Sequence, residues 1–253
     1  MNSDRVLHIS DAVVRPGGPG TAVVLNMLTL SVLRGETAVL VGPSGAGKTT
    51  ILRTAAGLLT PDQGSVSRCE RTGYMSQHPL TSFDPRWTIV RSVAEPARLA
   101  GAGRSEAVEQ AVATLESVKL SDAQWHRRPS FLSGGQLRRA AVARALVTQP
   151  DLILADEPAA GLDPEAALQL VDLFKTVSKS NKTGVLWVTH DLGVAAAVSD
   201  RIMILEDGAI AESTTMSQFV SDPQSQSGRE MLKAWLPLDR EAARIRLTGR
   251  TIN

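Results

Sequence analysis

Three short stretches of the chain are apolar at nearly every position instead of alternating between apolar and polar residues. They cover residues 37–41, 152–155 and 185–188. Continuous apolar runs of this length are typical of central strands in a parallel sheet that is covered on both faces. Asp156 directly follows the second run and His190 closely follows the third, at strand ends where α/β sheets bind ligands. The pattern predicts an α/β fold with its functional site at this edge.

Other segments have different patterns. Residues 6–14 and 29–33 are β-branched or leucine-rich runs separated by a Pro/Gly cluster at 16–20, which predicts an antiparallel sheet near the N-terminus. Residues 201–211 predict a hairpin with an Asp-Gly turn. Helices are predicted where Ala, Leu, Glu and Arg are abundant, at 90–118 and 136–148. The expected organisation is an α/β core from 1–78 and 136–225, a helical subdomain from 79–135, and a C-terminal extension from 226–253.

Composition narrows the possible functions. With 253 residues, 43% of them hydrophobic, the chain can form one substantial core. The formal net charge of +1 comes from acids and bases spread along the chain, which argues against a nucleic-acid partner. Cys69 is the single cysteine, so an internal disulfide and a cysteine-rich metal site are excluded. No apolar run approaches the roughly 18 to 20 residues of a membrane span, and we expect any membrane contact to be made through a partner.

A glycine-rich segment follows the first apolar run and leads into a sequence with helical character through Leu59, the order that a phosphate-binding loop requires. Its glycines allow backbone amides to point at phosphates, and Lys48 adds a positive charge. The hydroxyl of Thr49 and the carboxylate of Asp156 are oxygen ligands of the kind that Mg²⁺ prefers. The nucleotide-binding residues predicted here are Gly42, Pro43, Ser44, Gly45, Ala46, Gly47, Lys48, Thr49 and Thr50.

A second motif, Leu132-Ser133-Gly134-Gly135-Gln136, comes between this loop and the acidic pair Asp156-Glu157. In this order the motifs resemble the ATP-binding cassette (ABC) family over about residues 5–225. The resemblance implies a P-loop NTPase (RecA-like) core with an N-terminal antiparallel β subdomain and an inserted α-helical subdomain. It also implies an ATPase that binds ATP and Mg²⁺ and works as one of a head-to-tail pair.

The resemblance also implies roles for single residues. Glu157 is expected to act as the general base on the water that attacks the γ-phosphate. His190 resembles the switch histidine that contacts the γ-phosphate and orients Glu157, and Gln77 resembles the glutamine that touches Mg²⁺ and the water. The residues expected to face ATP held by the opposite subunit are Ser133, Gly134, Gly135, Gln136 and Asp163. His8, His78 and His126 have no spacing that suggests a metal site.

The substrate class is suggested by two further segments. Residues 78–89 resemble a Thr-Ser-Leu-Asn-Pro segment of ATPases in bacterial peptide and nickel importers. Asp222-Pro223 followed by 231–234 resembles their C-terminal His-Pro-Tyr-Thr segment, although residues 225–228 replace its aromatic core. The lack of a C-terminal cysteine cluster fits the nickel or metallophore type. A non-transport ABC ATPase, such as an accessory protein of phosphonate breakdown, is the alternative.

The importer interpretation implies a set of partners. These are a second ATPase subunit, expected to be non-identical although a homodimer stays open, two transmembrane permease subunits and, indirectly, an extracytoplasmic substrate-binding protein. The chain would then be a peripheral protein on the cytoplasmic face of the inner membrane.

Two regions depart from the family pattern or lie beyond it. Family members usually stack adenine on an aromatic residue upstream of the loop, but residues 1–40 contain no Phe, Tyr or Trp. Arg15 could stack through its guanidinium plane, or Val14 and Pro16 could supply apolar contact, so we expect weak base selectivity and modest ATP affinity. The arginine-containing tail, residues 236–253, is expected to be a solvated amphipathic segment, with packing on the partner ATPase or on the membrane subunits as the open alternatives.

Overall fold

The computed structural model describes residues 4–235, and its strands form two sheets. In chain order the strands are β1 (Arg5–Val14), β2 (Leu25–Leu33), β3 (Thr37–Val41), β4 (Gln63–Arg68), β5 (Thr72–Met75), β6 (Leu152–Asp156), β7 (Gly184–Thr189), β8 (Arg201–Glu206) and β9 (Ala209–Thr214). The larger sheet has six strands in the order β5-β6-β7-β3-β8-β9. Its neighbouring strands are parallel except for β8 and β9, which form the predicted antiparallel hairpin.

The central strands of this sheet confirm the prediction made from the apolar runs. Every residue of β3, β6 and β7 is buried. Their side chains alternate between two apolar clusters: Val39 and Ile153 belong to one, and Leu40 and Leu154 to the other. In the first cluster Phe174 meets Trp187 edge-on, with ring centroids 4.8 Å apart. Because the central strands contribute side chains to a core on each face, few of their positions are polar. Polar functional residues are therefore expected at the ends of these strands.

The smaller sheet has three antiparallel strands in the order β2-β1-β4. Pairing of β1 with β2 confirms the predicted N-terminal antiparallel sheet. The third strand, β4, was not predicted, because Gln63-Gly64-Ser65-Val66-Ser67-Arg68 has a single apolar residue and is largely exposed. Because its side chains are mostly exposed, this edge strand does not need apolar residues, and its hydrophobic pattern does not mark it as a strand.

The helices are α1 (Lys48–Ala55), α2 (Ile89–Leu99), α3 (Arg104–Ser117), α4 (Asp122–Trp125), α5 (Gly134–Leu146), α6 (Pro164–Asn181), α7 (Leu192–Val198), α8 (Met216–Ser221) and α9 (Gln226–Trp235), with 3₁₀ turns at Pro79–Ser82 and Pro129–Phe131. Helix α1 is shorter than predicted, because Gly57 at φ +75° ends it. Within the predicted 90–118 region the helix breaks between α2 and α3, where Gly101 has φ +104°. No helix in residues 4–235 has the length and apolar content needed to cross a membrane.

The α/β core, the N-terminal antiparallel sheet and the helical insertion between β5 and β6 confirm the predicted fold class. The finer division of the chain into subdomains stays a prediction. Its boundary after residue 135 falls within the first turn of α5, which begins at Gly134 instead of near Gln136. The prediction for the tail, residues 236–253, lies outside the described residues.

Candidate functional site

The three chemically distinctive segments meet at one edge of the core sheet. The parallel strands β6, β7 and β3 are consecutive neighbours, so their carboxyl ends lie side by side. The glycine-rich loop follows β3, the Asp156-Glu157 pair closes β6, and His190 follows β7. The Glu157 backbone N–H donates to the Val188 carbonyl at 3.0 Å, which ties the end of β6 to that of β7. Strand order therefore brings the three segments of the predicted edge site together.

The glycine-rich loop makes two close backbone approaches that require glycine. Gly47, the N-cap of α1, has φ +102°, and a Cβ placed there would lie 3.0 Å from Cγ1 of Val24. Gly45 also has a positive φ, of 82°. A Cβ at Gly42 would lie 3.0 Å from the carbonyl oxygen of Leu205. The loop thus wraps tightly before α1, whose free N-terminal amides form an anion-binding end.

Lys48 is folded over this loop. Its ammonium donates to the carbonyl oxygens of Gly42 at 2.8 Å and Pro43 at 2.9 Å, and only 8% of the residue is exposed. Burial lowers the pKa of Lys48, and the negative charges of Glu157 and Asp156 partly oppose that shift. A buried ammonium that is held by neutral carbonyls alone is a strong binding group for phosphate.

Thr49 and Asp156 face each other across the site. The Thr49 hydroxyl donates to Oδ2 of Asp156 at 3.1 Å, and Asp156 is 4% exposed. Burial raises the pKa of Asp156, the hydrogen bond from Thr49 lowers it, and the charge of Glu157 raises it. Two hard oxygens converging on one point fit Mg²⁺, which takes few protein ligands when phosphates supply others. Gln77, just after β5, is exposed and makes no hydrogen bond to either residue.

Glu157 and His190 form a close polar pair at the ends of β6 and β7. Nδ1 of His190 lies 2.8 Å from Oε1 and 2.7 Å from Oε2 of Glu157. Glu157 is 9% exposed and has a positive φ of 47°, a conformation that non-glycine residues adopt at a cost. Residue 157 thus leaves β6 in a left-handed conformation, and its carboxylate lies against the imidazole. A carboxylate held in this way can accept a proton from a water on its open side.

Arg138 is a site residue that sequence reasoning missed. From α5, its guanidinium donates to the carbonyl oxygen of Pro158 at 2.7 Å and to that of Ala160, and reaches the Glu157 carbonyl at 3.5 Å. Burial lowers the pKa of Arg138. The available signal was an arginine on the helix that opens with the second motif, but which loop it would contact could not be read from spacing. It fixes the loop after Glu157 to the helical insertion.

The second motif forms the N-terminal cap of α5. Oγ of Ser133 accepts from the Gln136 N–H at 3.3 Å, and the Gln136 side-chain oxygen accepts from the Ser133 N–H at 3.0 Å, a capping box. A Cβ at Gly134 or Gly135 would meet nothing within 4 Å, so this end of the helix faces open space. Asp163 caps α6 in turn, accepting from the Ala166 N–H at 2.9 Å. These residues hydrogen-bond locally and not to the glycine-rich loop of their own chain.

Arg15, the candidate for stacking on adenine, is paired with Asp62. Its backbone N–H donates to Asp62 at 2.8 Å, and its guanidinium lies 3.5 Å from the same carboxylate oxygen. The preceding residue, Val14, accepts from the N–H of Val24 at 2.9 Å, and Val24 packs against Gly47. The strand end that precedes Arg15 is thus connected through Val24 to the loop, while the guanidinium itself pairs with Asp62.

The fold and this edge define a nucleotide-binding class of protein with groups suited to hydrolysis of a phosphoanhydride: an anion-binding loop with a buried lysine, a Thr–Asp oxygen pair and a carboxylate–histidine pair. The family described as ABC transporter matches residues 25–160, over half of the chain. The chain therefore belongs to the ABC transporter family, and it is an ATP-binding protein and an ATPase.

Individual relatives agree with the family assignment. The chain is 36% identical over 227 residues to the probable ABC transporter ATP-binding protein PEB1C of Campylobacter jejuni, covering 84% of this chain and 93% of that protein. It is 41% identical over 204 residues to the aliphatic sulfonates import ATP-binding protein SsuB of Corynebacterium glutamicum, covering 78% and 80%. It is 33% identical over 237 residues to the glutathione import ATP-binding protein GsiA of Escherichia coli, covering 82% of this chain and 38% of that protein.

Solved structures agree as well. The dimeric structure of MJ0796, a bacterial ABC transporter cassette, is similar with a TM-score of 0.75 and 27% identity, covering 83% of this chain and 98% of that chain. The cassette protein cbiO1 from Clostridium perfringens, part of the cbiONQ transporter complex, has a TM-score of 0.79 over 96% and 98% of the two chains. At 20% identity, the second likeness bears on the fold alone.

Proposed function

We propose that the chain is the ATP-hydrolysing subunit of a bacterial importer for peptides, nickel or a metal chelate. One observation carries the proposal: the P-loop, the Thr49–Asp156 pair and the Glu157–His190 pair lie at one sheet edge, in a chain whose relatives include import ATP-binding proteins. The relative named for glutathione import supports the peptide class, because glutathione is itself a small peptide. The relatives named for methionine and sulfonate import support importer function without narrowing the cargo.

The geometry supports separate roles for these residues in ATP hydrolysis. The phosphates would lie over the loop from Gly42 to Thr50, where Lys48 can leave its carbonyl partners for them. Thr49 and Asp156 would hold Mg²⁺, which neutralises charge on the phosphate oxygens when bound. Glu157 would take the proton of the attacking water, and His190 would keep the Glu157 carboxylate in place. Gln77 would join them only after its exposed side chain moves with the helical insertion.

The second motif supports a head-to-tail pair of ATPase subunits. Ser133, Gly134 and Gly135 form an open helix end that makes no bond to the P-loop of its own chain. In a pair, this end would contact the γ-phosphate held by the other subunit, with Asp163 crossing the same interface. Gln136 would contribute to this interface by holding Ser133 in place, because its side-chain oxygen accepts a hydrogen bond from the Ser133 N–H. ATP would then join the two subunits, and hydrolysis would release them.

The helical insertion supports a contact with membrane subunits. Residues 81–89 begin within the 3₁₀ turn at Pro79–Ser82, and Phe83 anchors them in the core at 5% exposure. The Asp84 carboxylate accepts from the Arg86 guanidinium at 2.7 and 3.0 Å, an exposed ion pair within the segment. This segment is our candidate docking site for two transmembrane permease subunits. The chain would then be peripheral, on the cytoplasmic face of the inner membrane.

The proposal is tested by copurification of the tagged chain from detergent-solubilised membranes of its native host, followed by mass spectrometry. We expect two multi-spanning subunits and a second ATPase, with the cargo identified through the substrate-binding protein encoded beside them. A tagged chain with Phe83→Ala in this segment and Leu80→Asp in the 3₁₀ turn at its start should lose the membrane subunits. Recovery of soluble partners only would contradict the importer and favour a non-transport ATPase, such as an accessory protein of phosphonate breakdown.

A further inference from the structure

An open groove of about 860 Å³ lies beside the Glu157–His190 pair, between α6 and α7. Most of its lining residues are small or aliphatic. Among the described residues that line the groove, the largest side chain is that of Trp235, the last residue of α9. Helix α9 follows the core strands in sequence and adds no strand to the sheet. Its last side chain nevertheless lines the same groove as Glu157 and His190. This placement calls for a physical explanation.

Helix α9 is fixed firmly at its first turn. Glu212 on β9, 7% exposed, accepts with Oε2 from the backbone N–H of Ser225 at 2.9 Å, from its hydroxyl at 2.9 Å, and from the Gln224 N–H at 3.0 Å. Oγ of Ser225 accepts in turn from the Gly228 N–H at 3.0 Å, which caps the helix. A helix rises about 1.5 Å per residue. The anchored start therefore sets where Trp235 lies at the far end.

Trp235 lies against the turn that follows His190. A Cβ placed at Gly193 would be 3.6 Å from Nε1 of Trp235 and 3.1 Å from Oδ1 of Asp191. The Asp191 carboxylate accepts from the N–H groups of Gly193 at 2.7 Å and Val194 at 3.2 Å, and so caps α7. The indole thus packs on a hydrogen-bonded turn, and it does so at Gly193, which has no side chain to hold it off.

The exposure of His190 makes this turn important. The His190 side chain is 63% exposed, so few contacts of its own hold the ring, although Nδ1 lies 2.8 Å from Oε1 of Glu157. The ring position therefore depends on the backbone at residues 190 and 191, which the capped turn fixes. We propose that Trp235 is a positioning residue for ATP hydrolysis: its indole holds this turn, and thereby keeps His190 on Glu157. This inference rests on the roles proposed above for His190 and Glu157.

The test compares Trp235→Ala with Trp235→Phe and with Leu232→Ala. Leu232, 7% exposed, lies on the same helix and does not line the groove, so its truncation controls for loss of packing. A misplacement of about 1 Å at a reacting group can cost on the order of 100-fold in rate. Because Trp235 acts through a turn, we expect kcat to fall roughly tenfold in Trp235→Ala with KM for ATP changed less than about twofold. Trp235→Phe should restore most of the activity. Leu232→Ala should retain most of the activity even if its thermal stability is as low as that of Trp235→Ala.

A second measurement reports on His190 directly. In protein labelled with ¹⁵N-histidine, the imidazole signals of His190 should shift in Trp235→Ala and stay in place in Leu232→Ala. In a double-mutant cycle, Trp235→Ala should cost little further activity when His190→Ala is already present. Equal losses of kcat in Trp235→Ala and Leu232→Ala, with His190 signals unmoved, would overturn the inference.

The failure of this inference and the failure of the proposed site can be told apart. If His190→Ala loses activity while Trp235→Ala retains both its kcat and its His190 signals, Trp235 is a packing residue and the site stands. If His190→Ala retains ordinary turnover, the proposed role of His190 is wrong and the inference about Trp235 fails with it. A change confined to KM in Trp235→Ala would also overturn the inference, because the P-loop and not the Glu157–His190 pair would then be affected.

Discussion

Arg138 joins α5, the helix that opens with the second motif, to the loop that follows Glu157. Its guanidinium donates to the carbonyl oxygens of Pro158 at 2.7 Å and of Ala160. Arg138→Met keeps an unbranched apolar stem and good helix propensity but removes every donor. We expect the loop to lose its connection to the helical insertion, so both stability and turnover should decrease.

The size of the effect follows from the contacts that are lost. Hydrogen bonds from a charged donor contribute about 1.5–3 kcal/mol each. The burial that lowers the pKa of Arg138 opposes part of this gain, so the net loss should be roughly 2 kcal/mol for the two bonds. For a chain of this size each kcal/mol changes Tm by about 2–4 °C, which gives a decrease of roughly 4–8 °C. Because the same loop begins at Glu157, kcat should fall on the order of tenfold.

Arg139→Met is the matched control for this change. Arg139 is the next residue on α5 and donates to the Val118 carbonyl at 3.2 Å and to the Gln169 side chain, away from the Glu157 loop. Thermal unfolding by circular dichroism gives Tm, and phosphate release at saturating ATP gives kcat. Arg139→Met should lose stability without a comparable loss of kcat. If the two variants show the same kcat at equal loss of Tm, Arg138 has no effect on Glu157 beyond stability.

Three further predictions concern single groups. Glu157→Gln should lower kcat by at least about 100-fold and trap an ATP-bound dimer on size-exclusion chromatography; ordinary turnover would remove Glu157 from the role of base. By calorimetry, the wild-type chain should bind ATP and GTP with comparable dissociation constants, and Arg15→Tyr should favour ATP. A submicromolar dissociation constant for ATP together with much weaker GTP binding in the wild type would contradict this. Hydrogen bonds from Arg86 lower the pKa of Asp84 from 3.8 to about 2. The stability from this pair is therefore present above the ordinary pKa and lost as pH falls toward 2. The Asp84 carboxyl NMR signal should stay unchanged between about pH 5 and about pH 4, but move in Arg86→Ala.

The sequence predicted those parts of the fold and site in which local pattern decides the outcome. Continuous apolar runs predicted β3, β6 and β7, and residues placed just after each run were brought together because parallel neighbours end at one edge. Strand β4 carried no signal because its residues are polar and lie at a sheet edge. The early end of α1 depends on one glycine at φ +75°, within a segment whose composition is otherwise helical.

The contacts that hold the site in shape were not predictable in the same way. Arg138 reaches carbonyl oxygens twenty and twenty-two positions away, and Trp235 packs on a residue with no side chain. Neither contact has a periodicity, a charge complement or a motif in the sequence. Both depend on how the helices pack on the sheet after the strands have paired, so only tertiary structure reveals them.

Arg138 and Trp235 act on the two halves of one pair from different parts of the chain. Arg138 comes from the helical insertion and holds the backbone just after Glu157, whereas Trp235 comes from α9 and lies against the turn just after His190. Between them, the carboxylate and the imidazole meet at 2.8 Å at the ends of adjacent strands. Because the His190 ring is largely exposed, its alignment with Glu157 depends on backbone position more than on side-chain packing. If a membrane partner displaces α5, we therefore expect hydrolysis to change, because Arg138 would move the Glu157 loop while α9 keeps His190 in place.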